Sequence, residues 1–214
     1  MKNESITQRF RKAFRASAYF VVFIWSLKCL EWFAPIDLNR FGILPREIEH
    51  LAAILVAPLI HGSLSHIMTN TPALLVLGTS LLFGYPKAAR LVIPAIWLLS
   101  GLGVWLFARS AFHFGASGLT FGMMFFVFTS GALRWDPRAI ALACLVFFLY
   151  GGMVWGIFPG EPGVSFEYHF FGAAVGVVCA FLFKNLDPPQ ARKKYSWEIE
   201  DDLDDDDPYW LDNK

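Results

Sequence analysis

A serine hydroxyl becomes a nucleophile when a neighbouring base takes its proton, and a histidine, with an unperturbed pKa near ~6.5, is the side chain suited to that task at neutral pH. Ser117 and His169 are the pair that the surrounding sequence singles out. Each opens an apolar run and each is followed by two glycines four residues apart, in Gly115-Ala-Ser117-Gly118-Leu-Thr-Phe-Gly122 and in His169-Phe-Phe-Gly172-Ala-Ala-Val-Gly176. Small residues at that spacing let helix backbones approach closely in lipid, so Gly118/Gly122 and Gly172/Gly176 are the expected contact surfaces that bring serine to histidine. Attack on a carbonyl then builds an oxyanion, for which a single hydrogen-bond donor can be worth ~10²–10³ in rate. His66 and Asn70 stand i,i+4 at the head of another apolar run and project from one helix face, so they are candidate donors together with the Ser117 backbone N–H.

The elements that must position these groups are membrane-spanning helices. The 214-residue chain is 56% hydrophobic and 17% charged, against roughly 45–50% and ~25% in soluble domains. Lys plus Arg equals Asp plus Glu, which gives no reason to expect a nucleic-acid partner. A helix needs ~20 mostly apolar residues to cross the hydrocarbon core. Six segments approach that length: Ala16–Pro35, Leu64–Gly84, Leu91–Ala108, Ala116–Leu133, Ala139–Phe158 and Tyr168–Phe183. The first carries Lys28 and Glu31 at i,i+3, a spacing at which they can pair. Leu51–Ile60 is too short to span, contains Pro58, and is expected to lie at the interface or dip in and out.

Short cytoplasmic loops are rich in Lys and Arg, which gives an independent check on orientation. Residues 1–15 form a basic segment with Lys2, Arg9, Arg11, Lys12 and Arg15, so the N-terminus is expected inside. Lys87 and Arg90, Arg134 and Arg138, and Lys184 with Arg192, Lys193 and Lys194 then all fall on inner connections, whereas outer ones hold only Arg40, Arg46 and Arg109. The expected fold is an all-α bundle of six transmembrane helices over residues 16–184, both termini cytoplasmic. Residues 185–214, with the acidic run Glu198–Asp207, are expected to form a disordered, solvated tail. In this topology the second, fourth and sixth spans all run from outside to inside, so His66, Asn70, Ser117 and His169 share one depth a short way below the outer surface. Polar side chains inside spans are costly and mark function by default, and four at one depth argue for a site even though each alone could be a packing or interfacial residue.

These residues resemble the rhomboid intramembrane proteases. The family's GxSGxxxG signature matches Gly115, Ser117, Gly118 and Gly122. Its histidine followed by glycines at +3 and +7 matches His169, Gly172 and Gly176, and its HxxxxHxxxN matches His61, His66 and Asn70. The resemblance implies a six-helix intramembrane serine protease acting through a Ser117–His169 dyad, with His66 and Asn70 as oxyanion-hole donors and His61 shaping the first-loop hydrogen-bond network. Two departures stand out: Phe121 occupies the position where members often carry a tyrosine that stacks on the histidine, and the first loop lacks the Trp-Arg pair common among them. Glu167, close to His169 in sequence, is expected in the fifth loop rather than on the dyad.

The implied partners are transmembrane protein substrates and the lipid bilayer. No cofactor or metal is expected: HExxH is absent, and His113 reads as a loop residue. The three cysteines, all within apolar runs, read as packing residues. The expected location is a multi-pass position in a prokaryotic plasma membrane with the site toward the outer face, and oligomeric state is open. The rival reading is a catalytically inactive rhomboid-like protein that binds membrane segments; retention of both Ser117 and His169 argues against it.

Overall fold

The computed structural model describes residues 5–34, 36–160 and 163–188, and among these the protein is helical, with one isolated bridge between Ile43 and His113. The acidic run Glu198–Asp207 lies outside the described residues, as do Met1 to Glu4 of the basic N-terminal segment. Six α-helices follow in order: α1 (Ile6–Phe33), α2 (Leu64–Gly84), α3 (Ala89–Phe107), α4 (Ser117–Arg134), α5 (Pro137–Tyr150) and α6 (Phe166–Phe183). The first-loop segment between α1 and α2 winds through short 3-10 turns at Leu38–Phe41, Ile48–Leu55 and Ala57–Leu59.

Five of the helical segments are long and apolar enough to cross a membrane: α1, α2, α3, α5 with its 3-10 extension, and α6. The protein is therefore an integral membrane protein by composition and length. The exception, α4, carries Ser117, Thr120, Ser130 and three glycines, and it can do so because it is the interior helix. Its residues from Gly118 to Val127 are almost all buried, packed between α2, α3, α5 and α6, so its polar atoms face protein rather than lipid. By contrast, α5 exposes Leu145, Phe147, Phe148 and Leu149 on its outer surface.

Helix and span differ at both ends of the bundle. α1 starts at Ile6, ten residues before the apolar stretch, because Ser5 and Gln8 form a reciprocal capping box and Arg9 to Arg15 continue the helix beyond the apolar part. Segment 139–158 departs from one continuous α-helix: after Tyr150 it tightens into a 3-10 helix, Gly151–Ile157. α6 begins at Phe166, so Glu167 sits in its first turn and not in a loop, which corrects the sequence expectation.

The Leu51–Ile60 segment lies along α3. Ile54 fills the space above Gly101, and the Trp97 indole donates to the Leu55 carbonyl at 3.3 Å. Without a Trp-Arg pair, the first loop is pinned to the end of α3 by other groups: Arg46 Nη1 donates to the Ala108 carbonyl at 2.9 Å, and the Trp105 indole donates to the Glu47 carbonyl at 2.9 Å.

Candidate active site

The α4–α6 contact is backbone on backbone. A Cβ added to Gly172 would collide with the Gly118 carbonyl, and one added to Gly176 would collide with the Gly122 carbonyl. On the other side of Gly118 lies the ring of Tyr168, with no room for a methyl. Gly118 follows Ser117 and Tyr168 precedes His169, so this close approach sets the heads of the two helices at one level.

His169 is held on two sides. Its ring stacks on Phe121 with centroids 4.1 Å apart and planes 6° from parallel. Its Nδ1 lies 2.9 Å from the Gly156 carbonyl oxygen, which can only accept, so Nδ1 carries the proton and Nε2 keeps its lone pair. Gly156 belongs to the 3-10 extension of α5, and a Cβ there would stand 2.8 Å from Phe121 Cζ and 3.3 Å from His169 Nδ1. Sequence reading missed Gly156: an apolar run does not reveal that it tightens. Glu167, the nearest carboxylate in sequence, turns to Arg109 instead, accepting from its backbone N–H at 3.4 Å with the guanidinium at 3.6 Å.

The loop entering α4 is fixed from the opposite side. Gly115 has φ +113°, a region that other residues rarely adopt, and a Cβ there would also stand 2.5 Å from His66 Cε1. Its N–H donates to the Ala57 carbonyl at 2.9 Å, and the next amide, Ala116 N–H, donates to His61 Nε2 at 3.4 Å. The other His61 nitrogen, Nδ1, faces the Leu59 carbonyl at 3.4 Å, so His61 is the neutral Nδ1–H tautomer. His61 and His66 meet edge to face at 5.0 Å. Lys28 and Glu31 do pair, at 2.6 Å, and Lys28 also donates to the His61 carbonyl at 2.8 Å, tying α1 to this loop.

His66 thus lies beside the strand of chain that leads into Ser117, and Asn70 is buried one turn further along α2. Asn70 Nδ2 donates to the His66 carbonyl at 2.9 Å, which engages one of its two N–H bonds. Ser117 is half-buried, and among the described residues its hydroxyl makes no hydrogen bond; such bonds commonly tighten only when substrate is bound. Among the described residues no cluster of His, Cys, Asp or Glu could hold a metal ion.

Three glycine-governed approaches, at Gly115, Gly118 and Gly172, surround a serine at a helix head and a tautomer-fixed histidine, and the family model named Rhomboid domain matches residues 49–186, which contain all of them. The chain belongs to the rhomboid family. Uncharacterized proteins of Mycobacterium bovis and Mycobacterium tuberculosis are each 34% identical to this rhomboid over 184 residues, covering 82% of it and 75% of their own length. An uncharacterized protein of Mycobacterium leprae is 31% identical over 187 residues, covering 82% of this rhomboid and 72% of its own length.

His113, which reads from sequence as a loop residue, is fully buried in this rhomboid. Its Nε2 faces the Arg109 carbonyl at 3.0 Å and its Nδ1 the Ser165 hydroxyl at 2.6 Å. Ser165 in turn caps α6, accepting from the Tyr168 N–H at 3.3 Å, so the third loop steadies the helix that carries His169.

The loop histidine His61 gives the site a pH dependence. Burial, and next the neighbouring His66, push its imidazole down to about 4. The unfolded side chain titrates near ~6.5, so the folded state binds fewer protons between the two values. The stability that neutral His61 contributes is complete above ~6.5 and is lost as pH falls toward the folded value. Melting temperatures measured from neutral pH downward should therefore drop on acidification, and His61→Gln, which retains one donor and one acceptor without a titrating ring, should flatten the slope. An unchanged slope in that variant would show that His61 does not contribute.

Proposed function

We propose that this rhomboid is an intramembrane serine protease that hydrolyses peptide bonds in or next to transmembrane segments of membrane-anchored proteins. It spans a prokaryotic plasma membrane with six helices and both termini inside, and its site faces outward. The observation that carries the proposal is the state of His169: stacked on Phe121 and bonded at Nδ1 to Gly156, it keeps an Nε2 lone pair, on a helix whose Gly172 touches the residue after Ser117.

A substrate helix entering from lipid has every peptide group hydrogen-bonded and must unwind locally before a bond is reachable. Ser117 Oγ then attacks the scissile carbonyl carbon while His169 Nε2 takes the hydroxyl proton. The carbonyl π electrons move to oxygen, and the oxyanion is met by the Ser117 N–H, by the remaining Asn70 N–H and by His66. On collapse the C–N bond breaks, and His169 returns its proton to the departing amine. Water attacks the acyl-enzyme ester with the same base and releases the acid and free Ser117. Gly156 holds the imidazole in the tautomer this needs, a role that a carboxylate fills in triads.

Covalent labelling by a fluorophosphonate tests the proposal and separates it from an inactive relative that only binds membrane segments. Labelling should fall on Ser117 and vanish in His169→Ala. An unlabelled, correctly folded protein would support the binding reading instead.

A further inference from the structure

At the end of the bundle opposite Ser117, a cavity of about 660 Å³ opens between the N-terminal part of α1, the α2–α3 turn, the α4–α5 turn and the segment after α6. Phe83, Leu142 and Leu145 line its apolar part. Leu145 shares a helix face with the exposed Phe148 and Leu149, so the cavity is continuous with the apolar outer surface of α5. Its other side is cationic: Arg9, Lys87, Arg134 and Arg138 stand against two carboxylates, Asp136 and Asp187.

Both carboxylates are already committed to backbone. Asp187 accepts from the N–H groups of Lys87 and Ala88 at 3.0 and 2.8 Å, and Asp136 caps α5 through Ala139 N–H at 3.0 Å and pairs with Arg134 Nε at 3.2 Å. Arg134 also lies over the ring of Tyr85, 5.2 Å from its centroid. Lys87 and Arg138 are exposed at the rim, and Arg9 bridges the rim to Phe83. Among the described residues the buried Tyr85 hydroxyl has no hydrogen-bond partner. An apolar cleft reached from lipid and ending, among the described residues, in more cationic than acidic side chains is complementary to an amphiphile with an anionic head.

We propose that this cleft binds one phospholipid with an anionic headgroup, the phosphate among Arg9, Lys87 and Arg138 and an acyl chain along Phe83, Leu142 and Leu145. The site is independent of whether Ser117 reacts. Native mass spectrometry of the full chain in neutral detergent, titrated with phosphatidylglycerol or phosphatidylcholine, tests it. A one-to-one phosphatidylglycerol adduct should form at about ten-fold lower concentration than the phosphatidylcholine adduct. The variant Lys87→Gln, at an exposed rim position, should lose most of that preference while keeping the melting temperature of the lipid-free protein. Inorganic phosphate at matched concentration should leave the adduct in place; displacement by it would mean a free-anion site and overturn the proposal. Equal binding of the two lipids, or a preference that Lys87→Gln keeps in full, also overturns it. So does failure of phosphatidylglycerol to bind the native chain while a variant with Glu198–Asp207 neutralised binds it, which would make the chain's own acidic segment the occupant.

Discussion

Ser117→Ala should lower cleavage of a membrane-anchored model substrate by at least ~10³-fold, a barrier increase of ~4 kcal/mol or more, because in the proposed mechanism Ser117 is the group that forms the acyl-enzyme. The same substitution should leave the fold unchanged. Ser117 is half-buried at the first position of α4, the residue before it supplies no side-chain cap, and its hydroxyl holds no structural hydrogen bond among the described residues. Stability should therefore shift by no more than ~0.5 kcal/mol, the range of substitutions away from structural features. The check is a paired measurement, cleavage rate and melting temperature in one membrane mimetic. Undiminished cleavage would sink the dyad, and lost cleavage with a collapsed melting temperature would make Ser117 a packing residue.

Much of this site is readable in the sequence because membranes make polar residues conspicuous. His66, Asn70, Ser117 and His169 each open an apolar run, and the distribution of Lys and Arg puts three helix heads at one end without reference to chemistry. The glycine spacing carries the second half of the message, since in lipid close helix approach is bought with small residues. Other features leave no such mark. Gly156 lies in an apolar run whose tightening into a 3-10 helix depends on tertiary packing, so nothing local marks its carbonyl as the partner of His169. Likewise, the bond from Ser165 to His113 joins residues 52 apart, and that separation hides it from periodicity. The interior position of α4 explains why the one helical segment of the six that falls short of a span's combined length and apolarity is the one that begins with Ser117. The start of α1 was encoded, by a Ser5/Gln8 capping box, but reading for apolarity finds the span rather than the helix.

Gly172→Ala should damage both stability and activity, because its added Cβ would make the closest backbone contact of any glycine in the protein. The added Cβ would meet the Gly118 carbonyl, which belongs to helix backbone and cannot rotate away as a side chain would, so α4 and α6 must separate. Overpacking of this kind costs ~1–3 kcal/mol, and displacing reacting groups by about 1 Å can cost ~10²-fold in rate. Gly176→Ala meets the Gly122 carbonyl in the same way, one turn further from the dyad. The two variants should lose similar stability, but Gly172→Ala should lose more activity because its contact adjoins Ser117. Gly152→Ala, with nothing within 4 Å of the new Cβ, is the control that should change neither. Melting temperatures of all three, set against initial cleavage rates, separate general loosening of the bundle from misalignment of serine and histidine. Equal activity losses in Gly172→Ala and Gly176→Ala would mean that the glycine face sets stability alone, and that the register of Ser117 on His169 is held by the Phe121 stack and the Gly156 carbonyl instead.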